Sequence, residues 1–299
     1  MSQQAKRPFS SFRVLSFDIY GTLIDWESGI HDALQPLRSR LPEGNPLKND
    51  MLALGELFNK HERRIQAESP GLTYDCVLRD AYIGLARELN VLPADETSAT
   101  QEGVTFAESI GHWPAFADTV AAMRKLKTFG YILVPLSNVD RTSFGKTLSG
   151  PLAGLKAPFS SDELATSPAL PNGAKITPDA PLDPFFNAVY TAQDIGSYKP
   201  SLSNFEYLIS HIEKDFGVAK NEILHVAQSL FHDHAPAKKI GLESVWIARG
   251  EDGKSGMGGK LEEFAAQNQI SFGWRYSSLG EFADAVESEL RELNKQGHR

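Results

Sequence analysis

The chain has 299 residues and a formal net charge of −8, with 41% hydrophobic and 23% charged residues. These proportions are ordinary for a globular protein that buries a core without metal or disulfide staples. The acidic balance argues against nucleic acid or an acidic membrane surface as a partner. The single cysteine, Cys76, excludes an intramolecular disulfide. With no apolar run typical of a signal peptide or membrane helix, we expect a cytoplasmic protein.

Five short apolar segments alternate with helical patterns along most of the chain. In order they are RVLSFDIYG, YILVPLSNV, FNAVYTAQD, EILHVAQSL and SVWIARG. Strands that alternate with helices are typical of a parallel sheet covered by helices on both faces. We therefore predict an α/β fold with a Rossmann-like parallel sheet, in which functional residues gather at the carboxyl ends of the strands.

Residues 27–112 interrupt this alternation, because four consecutive segments in this range have helical periodicity. The interruption predicts a helical cap domain inserted after the first strand, while residues 12–26 and 113–299 form the core. Within the core, residues 150–184 are rich in Pro, Ala, Ser and Gly and predict a long loop insertion. The terminal segment ESELRELNKQGHR predicts a solvated helix that frays.

Four short motifs, DIYGTLID, LSNVD, GSYKPS and HVAQSLFHDH, each lie at the end of a predicted strand or in the loop beyond it. Their polar residues are Asp18, Thr22, Ser137, Asn138, Lys199, Gln228 and Asp233. Any one of these motifs is a weak signal, but four in this order are a specific one.

The four motifs resemble those of the haloacid dehalogenase superfamily, and the resemblance extends over about residues 12–250, cap included. Within the superfamily the pattern is most similar to the type II L-2-haloacid dehalogenases, in particular to fungal members. The resemblance implies that Asp18 is a nucleophile and that Thr22 braces its loop. It implies also that Lys199 keeps Asp18 ionised and that Asp233 positions Lys199 or the hydrolytic water.

Two positions separate the chain from the phosphatases of this superfamily. Those enzymes carry a second aspartate two residues after the nucleophile and an acid at the first position of the fourth motif, where this chain has Tyr20 and Gln228. A phenol is a poor general acid near neutral pH, and a neutral amide is a weaker magnesium ligand than a carboxylate. Both changes favour a displacement at carbon that uses no metal and no other cofactor, with halide leaving as an anion.

The implied reaction is hydrolysis of short-chain (S)-2-haloacids to 2-hydroxy acids through an ester on Asp18. Two alternatives stay open. One is hydrolysis of a phosphate ester with unusual magnesium ligation, and the other is a binding protein that kept the fold and lost the activity. The resemblance is also compatible with a homodimer formed through the cap.

Six residues are candidates for contacting the substrate: Tyr20, Asn59, Trp113, Ser137, Asn138 and Phe205. Ser137 would hold the substrate carboxylate, and Asn138 would contact the halide. Asn59 stands near the position of a cap arginine that receives the halide in bacterial members, and Phe205 replaces a tyrosine of those enzymes. Trp113 would wall a small apolar pocket or pack at the hinge between cap and core.

Other residues near the motifs have plainer interpretations. His225 lies in an apolar strand and is predicted to be a packed core histidine. His232 and His234 are two residues apart with no third ligand indicated, which argues against a metal site. Asp194 would set the geometry of the loop before Lys199 or contact that lysine.

Overall fold

The computed structural model of the protein describes residues 7–173, 184–250 and 259–297. Its centre is a parallel sheet of six strands in the order β3–β2–β1–β4–β5–β6. The strands are β1 (Val14–Phe17), β2 (Ile132–Ser137), β3 (Tyr190–Thr191), β4 (Ile223–Ala227), β5 (Glu243–Ile247) and β6 (Trp274–Tyr276). The predicted Rossmann-like sheet is thereby confirmed, and the three-residue edge strand β6 adds to the five predicted strands.

The central strand β1 is short and apolar, and all four of its residues are buried. Alternate side chains point to opposite faces of a strand, so Val14 packs in one apolar cluster while Leu15 and Phe17 pack in another. Because β1 is flanked by β2 and β4 on its two sides, the residue that follows it emerges at the middle of the sheet edge.

Six α-helices lie between β1 and β2, and the first five of them follow β1 directly: α1 (Trp26–Ala33), α2 (Gln35–Ser39), α3 (Met51–Glu68), α4 (Tyr74–Glu88) and α5 (Glu96–Glu108). Their aromatic side chains pack together, with the ring centroid of Phe106 5.1 Å from those of both Phe58 and Tyr82. The two chain crossings between these helices and the sheet are joined by backbone bonds, since Asp25 N–H donates to the carbonyl of Pro114 at 2.8 Å. The boundaries of the cap, 27 and 112, stay a prediction.

The remaining helices cover the two faces of the sheet. They are α6 (Thr119–Thr128), α7 (Arg141–Ser149), α8 (Ser161–Thr166), α9 (Ala192–Ile195), α10 (Leu202–Phe216), α11 (Ala235–Ile240), α12 (Leu261–Ala266) and α13 (Leu279–Gly297). Short 3₁₀ turns occur at Phe9–Ser11, Pro46–Lys48, Ser109–His112, Ala153–Lys156 and Lys220–Glu222, and a π-helical turn occurs at Leu230–His234. None of the described helices is long and apolar enough to cross a bilayer.

One prediction about the core needs correction. The range 150–184 is not one long loop, because a 3₁₀ turn spans Ala153–Lys156 and α8 follows it; residues 174–183 lie outside the described part of the chain. Apolar side chains such as Leu155 and Phe159 anchor this segment to the core. The predicted C-terminal helix is present. It begins at Leu279, ahead of the predicted segment, and residues 291–296 of that segment are exposed while Leu290 is buried.

Candidate active site

The carboxylate of Asp18 lies at the carboxyl end of β1, with only 6% of the residue exposed. The chain then turns at Gly21, whose φ of +99° is a conformation that glycine adopts without strain. This turn brings Thr22 back to the strand end, where its hydroxyl donates to Asp18 Oδ2 at 2.7 Å and accepts from Gln228 N–H at 2.9 Å. Thr22 therefore ties the Asp18 loop to the end of β4.

The ammonium group of Lys199 is buried beside Asp18 and has no spare hydrogen. Its Nζ donates to Asp18 Oδ1 at 2.8 Å, to Asp233 Oδ1 at 2.7 Å and to the carbonyl of Leu136 at 2.9 Å. An ammonium group has three N–H donors, so the protein itself uses all of them. The lysine is thus fixed in place before any ligand arrives.

Asn138 holds the backbone of Lys199 from both sides. Its Oδ1 accepts from Lys199 N–H at 2.6 Å, and its Nδ2 donates to the Lys199 carbonyl at 3.0 Å. Asp194, in contrast, does not reach the lysine, because it pairs with Arg141 and caps the short helix α9 through Thr191. The predicted contact between Asn138 and a halide would compete with the clamp on Lys199.

Asp233 lies on the π-helical turn Leu230–His234 and is fully buried. Its Oδ1 accepts from Lys199 and lies 2.9 Å from His225 Nε2, while its Oδ2 has no partner among the described residues. His225 Nδ1 is in turn 2.7 Å from the hydroxyl of Ser16. With its proton on Nε2, the imidazole donates to Asp233 and accepts from Ser16, so one chain of hydrogen bonds connects Ser16 to Asp18.

His225 is the functional residue that the sequence analysis did not assign. It is buried, as a packed core histidine should be, but its ring also orients Asp233. The signal was a pair of polar residues in two apolar strands. Ser16 and His225 are direct neighbours in the parallel register of β1 and β4, and a buried polar side chain requires a hydrogen-bond partner.

The charges of the cluster follow from burial and from the pairings. Burial raises the pKa of Asp18, and this effect exceeds the opposing influence of Lys199 and Thr22. The pKa of Asp233 lies far below its usual range, because the attraction of Lys199 and the hydrogen bond from His225 outweigh the cost of burial. The two carboxylates raise the pKa of Lys199 despite its burial, so the lysine is a cation at neutral pH.

A cavity of about 60 Å³ separates this cluster from the cap. It is lined by Asp18, Tyr20, Trp26, Glu62, Gln66, Tyr74, Asn138, Lys199, Ser229, His232 and Asp233. Since one water molecule occupies about 30 Å³ of liquid, the cavity admits only a small ligand. Three of its lining residues, Glu62, Gln66 and Tyr74, come from α3 and α4.

Four of the six predicted substrate contacts lie away from this cavity. Asn59 is buried within the cap, and Trp113 packs edge-on against the Tyr20 ring at 5.8 Å. Phe205 is on the far side of His225, with 5.4 Å between the ring centroids. Ser137 is buried at the end of β2, and its hydroxyl has no partner among the described residues.

Tyr20 and Asn138 are the two predicted substrate contacts that do line the cavity. The Tyr20 hydroxyl lies 2.7 Å from the hydroxyl of Thr147, and burial raises the pKa of this phenol, which therefore stays protonated at neutral pH. Two tryptophans lie at the crossings between cap and core. Trp26 lines the cavity, and Trp113 is buried behind it.

No family model and no curated protein matches the chain, whereas many solved structures do. One is a dehalogenase with an intermediate complex, 19% identical with a TM-score of 0.63; the alignment covers 93% of this chain and 98% of that one. Another is L-2-haloacid dehalogenase from Xanthobacter autotrophicus with chloropropionic acid covalently bound, 16% identical over 92% and 98% of the two chains, with a TM-score of 0.61. The chain has the haloacid dehalogenase fold.

This fold also includes proteins that hold a metal. A putative HAD-hydrolase from Bacillus subtilis bound to magnesium is 19% identical, with a TM-score of 0.59 over 92% of this chain and 98% of that one. Mg²⁺ takes near-octahedral oxygen ligands and uses one or two carboxylates. Tyr20 and Gln228 offer a protonated phenol and an amide beside Asp18, whose two oxygens already bind Lys199 and Thr22. Positions 20 and 228 of the haloacid dehalogenase fold therefore offer Mg²⁺ no carboxylate beside Asp18.

Proposed function

We propose that the protein is a metal-independent hydrolase that displaces halide from C2 of short (S)-2-halocarboxylates. The observation that carries this proposal is the environment of Asp18. Its carboxylate faces a small cavity, its charge is countered by Lys199 at 2.8 Å, and a phenol stands where a phosphatase would place its acid. Such a group is suited to attack carbon with a leaving group that departs as an anion.

In the first step, an Asp18 carboxylate oxygen attacks C2 from the side opposite the halogen. The new C–O bond forms as the C–X bond breaks, the bonding electron pair leaves with the halide, and the configuration at C2 is inverted. Asp18 loses its negative charge in the ester, while Lys199 and Asp233 remain an ion pair. The lysine thus stabilises the ionised nucleophile without itself transferring a proton.

In the second step, water adds to the Asp18 carboxyl carbon and the bond from this carbon to the oxygen on C2 breaks. One proton of the water ends on that oxygen as the hydroxyl of the product, and the other is released to solvent. The product is a 2-hydroxy acid, and Asp18 returns with one oxygen from water. The unpartnered Oδ2 of Asp233, a residue that lines the cavity, is the acceptor that orients this water. His225 keeps Asp233 in position through its bond to Oδ1.

The mechanism predicts that repeated turnover in H₂¹⁸O places ¹⁸O in the side chain of Asp18. We would incubate the protein with L- and D-2-chloropropionate plus a chelator, measure chloride release, and measure the mass of the peptide that contains Asp18. Release that prefers the L isomer, together with a 2 Da gain per exchanged oxygen, is the expected result.

Asp18→Asn should abolish chloride release, and the matched control is Asp32→Asn, whose side chain is 79% exposed on α1. This control should keep full activity. No release from either isomer would sink the assignment, and a screen of phosphate esters with magnesium would follow. Release without label in the peptide would rule out the ester intermediate.

A further inference from the structure

The cavity wall opposite Asp18 carries a buried carboxyl group and no basic side chain among its described residues. Glu62 of α3 is buried, with 8% of the residue exposed, and lines the same cavity as Asp18. Its Oε1 accepts from the Tyr74 hydroxyl at 2.8 Å and from Gln66 Nε2 at 3.2 Å. Because Oε1 already takes two donors, a proton on this carboxyl resides on Oε2.

The described residues that line the cavity offer no free cation to receive an anion. Lys199 is the one cation among the described residues that line it, and its three N–H groups are engaged. If Glu62 were ionised, three carboxylates would face this single ammonium group: those of Glu62, Asp18 and Asp233. A halide that leaves on the side opposite Asp18 would then be repelled by the ionised carboxylate of Glu62.

We propose that Glu62 is the acid of this site, and that its protonated Oε2 donates to the leaving group on the side of the substrate opposite Asp18. The inference rests on the proposed function and adds a specificity-determining residue to it. A hydrogen bond to charge that develops in the transition state lowers the barrier when the donor is already in place. Tyr74 and Gln66 supply that placement by fixing Oε1.

The pKa of Glu62 supports this role, because burial raises it to about 7. The charged or titratable groups near it are Arg63 and Tyr74 on the cap and Asp18, Tyr20, Tyr198, Lys199, His232 and Asp233 on the core. Burial raises the pKa of all three tyrosines and lowers that of His232 to about 4. These four groups stay neutral from pH 6 to 8. Burial raises the pKa of Asp18 as well, but Glu62 is the group of this set whose pKa, about 7, falls inside that range.

Chloride binding to the full chain without substrate tests the proposal independently of turnover. The dissociation constant would be measured from the ³⁵Cl NMR line width at pH 6 and pH 8. For a pKa near 7, the protonated fraction falls from about 0.9 to about 0.1 between these values. We therefore expect chloride to bind about tenfold more weakly at pH 8.

Glu62→Gln keeps a donor at all pH values and should make chloride binding independent of pH. Glu56→Gln, an exposed change on the same helix, should keep the tenfold dependence. A dependence that survives in Glu62→Gln assigns the titration to Asp18 and overturns the proposal. So does chloride affinity that is flat, absent or stronger at pH 8 in the unmodified protein. Chloride binding with this pattern in a protein that releases no halide would leave Glu62 in place and refute only the proposed reaction.

Discussion

At the scale of single residues, the ammonium group of Lys199 has all three of its hydrogen bonds before a ligand enters. Lys199 joins Asp18 to Asp233, and Asn138 clamps the lysine backbone. Removing one partner of a buried ion pair costs about 3–5 kcal/mol, because the other charge stays buried without compensation. The arrangement therefore fixes the carboxylate of Asp18 in place, and a substitution of any one member of the cluster destabilises the buried groups beside it.

The hydroxyl of Thr22 should extend activity to lower pH. Asp18 must be ionised to attack, so activity is lost as the pH falls through its folded pKa, which burial has raised. The bond from Thr22 to Asp18 Oδ2 favours the ionised form and lowers this pKa. This bond is the smallest of the influences that lower the pKa, so Thr22→Val should move the acid limb of kcat/KM upward by at most about one pH unit.

Thr22→Ser is the matched control, because it retains the hydroxyl and should retain the pH profile. The measurement is kcat/KM for halide release from pH 4 to 8 in the three proteins. An acid limb that stays in place in Thr22→Val would mean that this bond does not govern the ionisation of Asp18. Thr22→Val also leaves Gln228 N–H without its acceptor, so its stability is checked at each pH.

At the scale of elements, the crossings between cap and core depend on one glycine. A Cβ placed on Gly29 of α1 would lie 2.3 Å from Cγ of Trp113, and that tryptophan is buried against Tyr20. At Gly29, helix α1 therefore packs directly against Trp113 and leaves no room for a side chain. Gly145, inside α7, has no atom within 4 Å of the corresponding position.

These two glycines predict opposite effects of the same substitution. Gly29→Ala should destabilise the fold by about 1–3 kcal/mol, the usual cost of overpacking a core. Gly145→Ala should stabilise it by about 0.5–1 kcal/mol, because glycine in a helix interior is unfavourable relative to alanine. Urea unfolding followed by circular dichroism measures both. Equal changes in the two variants would show that Trp113 moves aside freely.

The elements also divide what the sequence predicts from what it does not. Strand ends could be predicted because a buried parallel strand is a continuous apolar run, and Asp18, Asn138 and Lys199 follow such runs directly or by a short loop. The residues of the cap that line the cavity could not be predicted, because the face of α3 that meets the core depends on how the helices dock. On periodicity alone, Asn59 and Glu62 are equally plausible as residues of the cavity wall. The edge strand β6 has three residues, too few to show a period.

At the scale of the whole molecule, the sheet supplies Asp18, the proposed nucleophile, and the cap supplies the opposite wall, so the cavity exists only when both are docked. The docking contacts include hydrogen bonds that cross between them, such as the one from the Tyr198 hydroxyl to the carbonyl of Leu72 and the one from Tyr74 N–H to Asp140. Stability and activity should therefore decline together when the core is weakened, as happens when a buried neutral group is forced to accept a proton.

His234 is such a group, and it predicts how stability depends on pH. It is fully buried, with Nδ1 2.9 Å from the Ser244 hydroxyl and Nε2 2.9 Å from the Ala227 carbonyl. Burial lowers its pKa from an ordinary 6.5 to about 4. Between these values only the unfolded chain binds the proton, so the contribution of His234 is complete above pH 6.5 and is lost progressively as the pH falls to 4.

The pKa of His234, lowered by about 2.5 units, corresponds to a contribution of about 3 kcal/mol to the free energy of unfolding. This contribution is measured from the slope of the unfolding free energy against pH. In His234→Gln this slope between pH 6.5 and 4 should decrease by an amount that corresponds to at most one bound proton, whatever the overall stability of the variant. His112→Gln, at an exposed position, should leave it unchanged. Urea midpoints at half-unit pH steps measure the slope. If His234→Gln keeps the whole slope, other groups cause the acid sensitivity and the imidazole at position 234 is protonated in the folded protein.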